Sequence, residues 1–213
     1  MSTPKTNLYE VITASATEAY AADNTIFDEG LALMATQTSY PILSGPQIDA
    51  PAEEPKISVF IGWSSIEEHL AARESQAHAP LMPIIAKVFA SKPDVIHVPF
   101  TSDPLPALRA PVTEIAWFTA KADASDKETG DNILQVVQQL VELSGSRGVA
   151  VSTGQVVERP GQVVCVAGWE SIEAHQAFTA KRDPAFAPFF GELLGLAGAT
   201  IGHSALKAYG GVA

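Results

Sequence analysis

Cysteine is almost missing from this chain: Cys165 stands alone among 213 residues. One cysteine excludes an intrachain disulfide and a cysteine-built zinc cluster. It lies in an apolar run and reads as a buried, inert thiol. Positive charge is also scarce, with 13 Lys and Arg against 24 Asp and Glu and a formal net charge of −11. No Lys/Arg cluster stands anywhere, and both nucleic acids and anionic membrane surfaces are recognised through such clusters. Neither is an expected partner. No window of 18 apolar residues exists, and the MSTPKTN start lacks the charged-then-apolar pattern of a secretory leader. A soluble, cytoplasmic protein is expected. A Gly-x-Gly-x-x-Gly turn, a Walker A loop, a His-Glu-x-x-His helix and a Gly-x-Ser-x-Gly elbow are all missing, which argues against nucleotide cradles, zinc hydrolysis and serine-nucleophile chemistry. His69 and His78 have no helical ligand spacing, so no metal is expected.

What is present is a globular composition, 46% hydrophobic and 17% charged, in a chain long enough to bury a core. An internal repeat organises it. Ile61-Gly62-Trp63-Ser64-Ser65-Ile66-Glu67-Glu68-His69 matches Ala167-Gly168-Trp169-Glu170-Ser171-Ile172-Glu173-Ala174-His175, and His97 matches His203 at the same offset. Tyr9-Glu10-Val11-Ile12 resembles Thr113-Glu114-Ile115-Ala116. The halves are residues 1–103 and 112–213, joined by a proline-rich linker, 104–111.

In the second half, alternation predicts strands over 113–119, 149–157 and 162–169, the last two joined by a Pro160-Gly161 turn. Ile133, Val136, Val137, Leu140 and Val141 mark an amphipathic helix from about Asp126 to Ser144. Short helices over 171–182 and 185–196 and a strand over 200–208 complete a β-α-β-β-α-β order. The first half repeats it: strands 8–14, 40–48, 56–63 and 94–100, helices 24–37, 65–74 and 80–90. Ser64 and Glu67 have the spacing of a capping box that the second half, with Glu170, does not share. The strands at 56–63 and 163–169 are apolar on both faces, so each sheet needs cover on the side its helices leave open. The fold class expected is α+β, two tandem ferredoxin-like units packed sheet to sheet as an intrachain pseudo-dimeric barrel.

The strand–Gly-Trp–x-Ser-x-Glu-x-His–helix pattern, present in both halves, resembles the dimeric α+β barrel superfamily, in its antibiotic-biosynthesis-monooxygenase-like and stress-responsive branches. The resemblance is to a fused, two-copy form like the tandem proteins of fungal secondary metabolism. It implies a cavity between each sheet and its helices and a hydrophobic small molecule, aromatic or polyketide-derived, as the partner. It also implies chemistry without a cofactor, with haem, which other members bind, as the alternative. The fusion leaves a monomer or a homodimer of fused chains open.

All five histidines sit at repeat-related or motif positions, and histidine alone titrates near neutral pH unperturbed. His69 and His175 lie on or beside the buried stripes of their helices, as satisfied core groups or pocket residues. His97 and His203 sit on strands among apolar neighbours, with the same two readings. Ser75-Gln76-Ala77-His78-Ala79-Pro80 resembles the segment that carries a general base in a plant polyketide cyclase of the stress-responsive branch. The second half has Phe186 there, so this resemblance places chemistry in the first half. Catalytic candidates are therefore His78, His97 and His69. Substrate-binding candidates are Trp63, Trp117, Trp169, His175, His203 and Phe186, with indoles flooring an aromatic pocket or serving as core. Arg73 and Arg109 are candidates for an anionic substrate group. The functions implied are histidine-mediated proton transfer leading to cyclisation, elimination or isomerisation, cofactor-independent monooxygenation, or non-catalytic binding.

Overall fold

The computed structural model describes residues 6–121 and 127–210. The expected helix start at Asp126 lies outside them. Contacts divide the chain into two units. One runs through His97 and takes in the segment from Ser204 onward; the other is Val98–His203.

The first unit contains β1 (Leu8–Ser15), α1 (Glu18–Ala22), a 3-10 turn (Asn24–Phe27), α2 (Asp28–Met34), β2 (Ile42–Pro46), β3 (Lys56–Trp63), α3 (Ile66–Glu74), α4 (Leu81–Val88) and β4 (Asp94–Pro99), which crosses the boundary. After α5 (Leu105–Leu108) come β5 (Val112–Ala120), α6 (Lys127–Ser146), β6 (Ala150–Gln155), β7 (Gln162–Trp169), α7 (Ile172–Ala180), α8 (Ala187–Leu196), β8 (Ala197–Ser204) and β9 (Lys207–Tyr209). The sheet orders are β4-β1-β3-β2-β9 and β6-β7-β5-β8. Read from opposite ends, both follow the same ferredoxin-like order of fourth, first, third and second strand. The central pairs are antiparallel, with Glu10 opposite Ile61 in one sheet and Glu114 opposite Ala167 in the other.

Each sheet lays one face on its helices. In the first unit Ile12, Ile42, Ile57, Val59 and Ile61 pack with Tyr20, Phe27, Leu31, Met34, Leu81, Ile84 and Val88. In the second, Ala116, Phe118 and Val163 pack with Ile133, Val136, Val137, Leu140, Phe186 and Leu193. The other face of β3 is closed as well: every residue from Ile57 to Trp63 is buried, as its unbroken apolar composition requires.

Four sequence expectations need correction. The expected linker 104–111 is not an open spacer: α5 buries Leu105, Ala107 and Leu108, because Leu-Pro-Ala-Leu supplies an apolar turn. The expected strand 200–208 is two strands. β8 ends at Ser204, and β9 pairs antiparallel with β2, Tyr209 opposite Ile42, in the first sheet, so the halves divide at 97/98 and 203/204 rather than in the proline run. The expected helix 24–37 is a 3-10 turn followed by a short helix, and α1 precedes it, because Asp23 and Thr17 each supply a side-chain cap. Finally, the cap of α3 is Ser65, whose side chain accepts from the Glu68 amide, and Glu68 reaches back to the Ser64 amide at 2.7 Å. Ser171 caps α7 in the same way through the Ala174 amide. The cap is therefore shared by both halves, one residue later than the sequence suggested.

The glycine of the Gly-Trp pair has a steric reason. A Cβ at Gly168 would lie 2.8 Å from the Ala110 Cβ and 3.0 Å from the Ala107 Cα, and one at Gly62 would lie 2.7 Å from the Tyr40 Cβ. Gly168→Ala must push α5 and the Ala110 methyl away from β7. It is expected to lower the unfolding free energy by about 1–3 kcal/mol, measured by urea denaturation. A loss below ~0.5 kcal/mol would show that this backbone yields freely.

Candidate active site

Three neighbouring strands and one helix build the same side-chain group in each unit. Glu10 projects from β1, Trp63 ends β3, His97 lies on β4, and α3 starts directly after Trp63, so its first turn carries His69. The strand order β4-β1-β3 brings these residues together. Trp63 Nε1 donates to Glu10 Oε2 at 3.0 Å, and His69 Nε2 lies 3.4 Å from the same oxygen. His69 Nδ1 is 2.7 Å from His97 Nε2, and the His69 ring stacks on Trp63 at 5.1 Å and 26°. The second unit repeats this on β8, β5 and β7. Trp169 Nε1 donates to Glu114 Oε2 at 2.8 Å, and His175 Nε2 is 3.5 Å from that oxygen. His175 Nδ1 is 2.8 Å from His203 Nε2, and His175 stacks on Trp169 at 4.8 Å and 21°.

The two groups differ in what faces them. Glu10, Trp63, His69 and His97 are each about 5% exposed or less. Two cavities of the first unit, a shallow polar one of about 320 Å³ against Lys56 and Asp94 and a minute one of about 10 Å³ beside Tyr20 and Tyr209, are not lined by Glu10, His69 or His97. In the second unit a cavity of about 570 Å³ opens between the sheet and helices α6, α7 and α8, a size suited to a small organic ligand. Glu114, Trp169 and His175 form part of its wall, with Ala116, Phe118, Val137, Leu140, Val151, Phe178, Phe186 and Phe190 among the apolar lining.

Burial pushes the Glu10 carboxyl up to about 7, against the pull of the Trp63 hydrogen bond and of His97 and Arg73. Burial holds His175 below the ordinary imidazole value; the Glu114 charge opposes that shift and His203 adds to it. His175 is therefore neutral at pH 7, with a carboxylate beside one ring nitrogen and a second imidazole on the other. The Cys165 thiol, half-buried and also in the wall, is pushed far above its usual range by burial, which disfavours its thiolate.

Glu114, His175 and His203 offer donor atoms all within 4.8 Å of one another, a candidate cation site that sequence spacing did not reveal. A cation there would have to displace the hydrogen bond between the two imidazoles. Haem held through His175 would need Nε2 to turn from Glu114, 3.5 Å away, to the iron, because Nδ1 is bonded to His203.

Of the candidates from sequence, the structure joins His69 to His97 and Trp63, and His175 to His203 and Trp169. Phe186 lines the cavity. Trp117 sits half-buried on β5, on the face opposite Glu114, Ala116 and Phe118, and outside the cavity lining. His78 ends the 3-10 turn Gln76–His78, with burial and Arg73 holding its pKa down. Arg109 caps α5 at an exposed position. The cavity lies in the half that carries Phe186, whereas sequence drew attention to the half that carries His78. Sequence reasoning missed Glu10 and Glu114. Their signal was present: a carboxylate inside an apolar strand, repeated in both halves.

No family model matches the sequence, and no curated protein matches it. Solved structures do. A protein described as an anthrone oxidase-like protein is 12% identical with a TM-score of 0.69, over 97% of this chain and 95% of that one. A "putative monooxygenase" from Fusobacterium nucleatum is 8% identical with a TM-score of 0.69, over 96% and 95%. Another from Lactobacillus acidophilus is 11% identical with a TM-score of 0.63, over 96% and 97%. At these identities the likeness is one of fold, and this chain has the α+β barrel fold of those monooxygenase-like structures.

Proposed function

We propose that the second unit binds a hydrophobic aromatic molecule and that the Glu114–His175 pair, backed by His203, removes a proton from it without a cofactor. One observation carries this reading: the apolar cavity has a carboxylate–imidazole pair in its wall, and burial keeps the imidazole neutral. A neutral base in an apolar pocket accepts a proton from an acidic C–H or O–H. Trp169 fixes the carboxylate, and stacking on Trp169 fixes the ring. The resulting anion can cyclise, eliminate or isomerise.

A second reading follows from what the structural neighbours are called. If the substrate is an anthrone, the carbanion formed at its methylene reacts with O₂. The balance is one anthrone plus one O₂ giving one anthraquinone plus one water, which is cofactor-independent monooxygenation. In both readings the chain is a fused two-copy form whose first unit supports the fold.

Anthrone in deuterated buffer tests both. Under argon, exchange of its methylene protons should be faster with protein than without, and slower again with His175→Ala. In air, protein-dependent oxygen uptake selects the oxygenase reading. Binding without accelerated exchange would leave a non-catalytic binding protein and end the proposal.

A further inference from the structure

The cavity wall is apolar around Glu114, but its exposed edge is not. Arg147, Lys181 and Arg182 all line the cavity and are all exposed, which places them at its opening. Among the described residues, Asp183 is the one acidic residue of that edge. It is engaged with Arg147, whose Nη2 lies 2.9 Å from Oδ2, while its other oxygen accepts from the Ala185 amide at 3.0 Å. Among the described residues neither Lys181 nor Arg182 has an acidic partner. The chain carries only 13 Lys and Arg and a net charge of −11, yet three of those cations gather at this one opening.

Arg182 adds a backbone argument. Its φ is +47°, and it follows the Lys181 cap of α7, the position where helices usually place glycine to enter the left-handed region. A long cationic side chain is held where glycine would fit with less strain, which points to use of that charge.

We infer that the ligand of this cavity is an aromatic anion, a carboxylate or a stable phenolate, whose charged group meets Lys181 and Arg182 at the opening while its ring system lies against Phe178, Phe186 and Phe190. This rests on the cavity being the ligand site of the proposed function. Exposed charge pairs contribute modestly and are screened by salt, so the group selects among aromatic ligands rather than supplying most of the affinity.

Calorimetric titration with 2-naphthoate and 2-naphthylmethanol, which share a ring system and differ in charge, tests it. The acid should bind about fivefold tighter at low ionic strength, and the gap should close near ~0.5 M salt. Arg182→Gly should bring the acid's affinity toward that of the alcohol, leave the alcohol unchanged, and keep or raise the unfolding midpoint, since glycine suits that φ. Lys181→Ala should act in the same direction. If the alcohol binds and the acid gains nothing over it, the anionic ligand is wrong and the cavity stands. Equal losses for both ligands in the variants would also overturn it. If neither ligand binds, the cavity reading falls and takes this inference with it.

Discussion

The Glu10→Gln variant is expected to be more stable than the wild type at pH 8, by about 3 kcal/mol, and equal to it near pH 4.5. Glu10 is buried, and its carboxyl is pushed from 4.5 up to about 7 by burial. The folded state thus holds the Glu10 proton more tightly than the unfolded state. Between these two values the folded chain carries more bound protons, and stability must fall as pH rises. The loss begins above pH 4.5 and is complete above about 7. The glutamine side chain keeps a carbonyl oxygen for Trp63 Nε1–H and has no charge to bury. Urea unfolding of both proteins at pH 5 and pH 8 gives the test as a double difference, which cancels the other carboxylates. Parallel pH slopes, or a variant less stable at pH 8, would show that Glu10 stays ionised in the folded chain.

Much of the scaffold was legible because periodicity follows from burial on one face. β3 and β7 fall at the residues their apolar runs predicted, and α6 matches the spacing of Ile133, Val136, Val137 and Leu140. The repeat was legible because the Gly-Trp turn has a steric cause in both copies. Strand β9 was not: Lys207-Ala208-Tyr209 continues the local pattern of β8, and only the pairing of Tyr209 with Ile42 separates them. Helix α5 was hidden by its prolines, which suggest a spacer unless Leu105 and Leu108 find an apolar surface. At the site, histidines and tryptophans drew attention because they are rare and repeated. The glutamates did not, since a carboxylate in a strand reads as solvent-facing until the register places Glu114 opposite Ala167 and within reach of Trp169. His78 drew attention through its local segment, and a local segment cannot show which unit leaves room for a ligand.

The two units set one side-chain group in two different surroundings. In the first, the path from β1 to β2 is broken into α1, a 3-10 turn and α2, which bring Tyr20, Phe27, Leu31 and Met34 into the core. The polar group there is sealed, and its carboxyl raises the cost of folding as pH rises. In the second, the long helix α6 spans the same interval, and Ala116, Val137, Val141 and Ser144 leave the volume that becomes the cavity. The same four side-chain types stand in both units, and the packing opposite them differs.

That difference makes the second unit the place of the largest kinetic effect. His175→Ala is expected to lower kcat/KM for proton abstraction by about 10²- to 10⁴-fold, while the equivalent His69→Ala, away from the cavity, should act on stability. In the wild type, kcat/KM should rise with pH and level off, because the Glu114–His175 pair accepts a proton only while His175 is neutral. The acid limb belongs below the ordinary imidazole value of 6.5, since burial lowers the pKa of His175. Glu114→Gln keeps an acceptor for Trp169 Nε1–H but removes the charge that raises the pKa of His175. Its acid limb should therefore move to still lower pH while the plateau falls, a combination that mere loss of packing would not produce. Exchange of the anthrone methylene against deuterated buffer, followed across pH for the three proteins, supplies the measurement. An acid limb that stays in place in Glu114→Gln would remove the carboxylate from the proton-accepting pair, and a His175→Ala profile identical to the wild type would place the base elsewhere in the cavity.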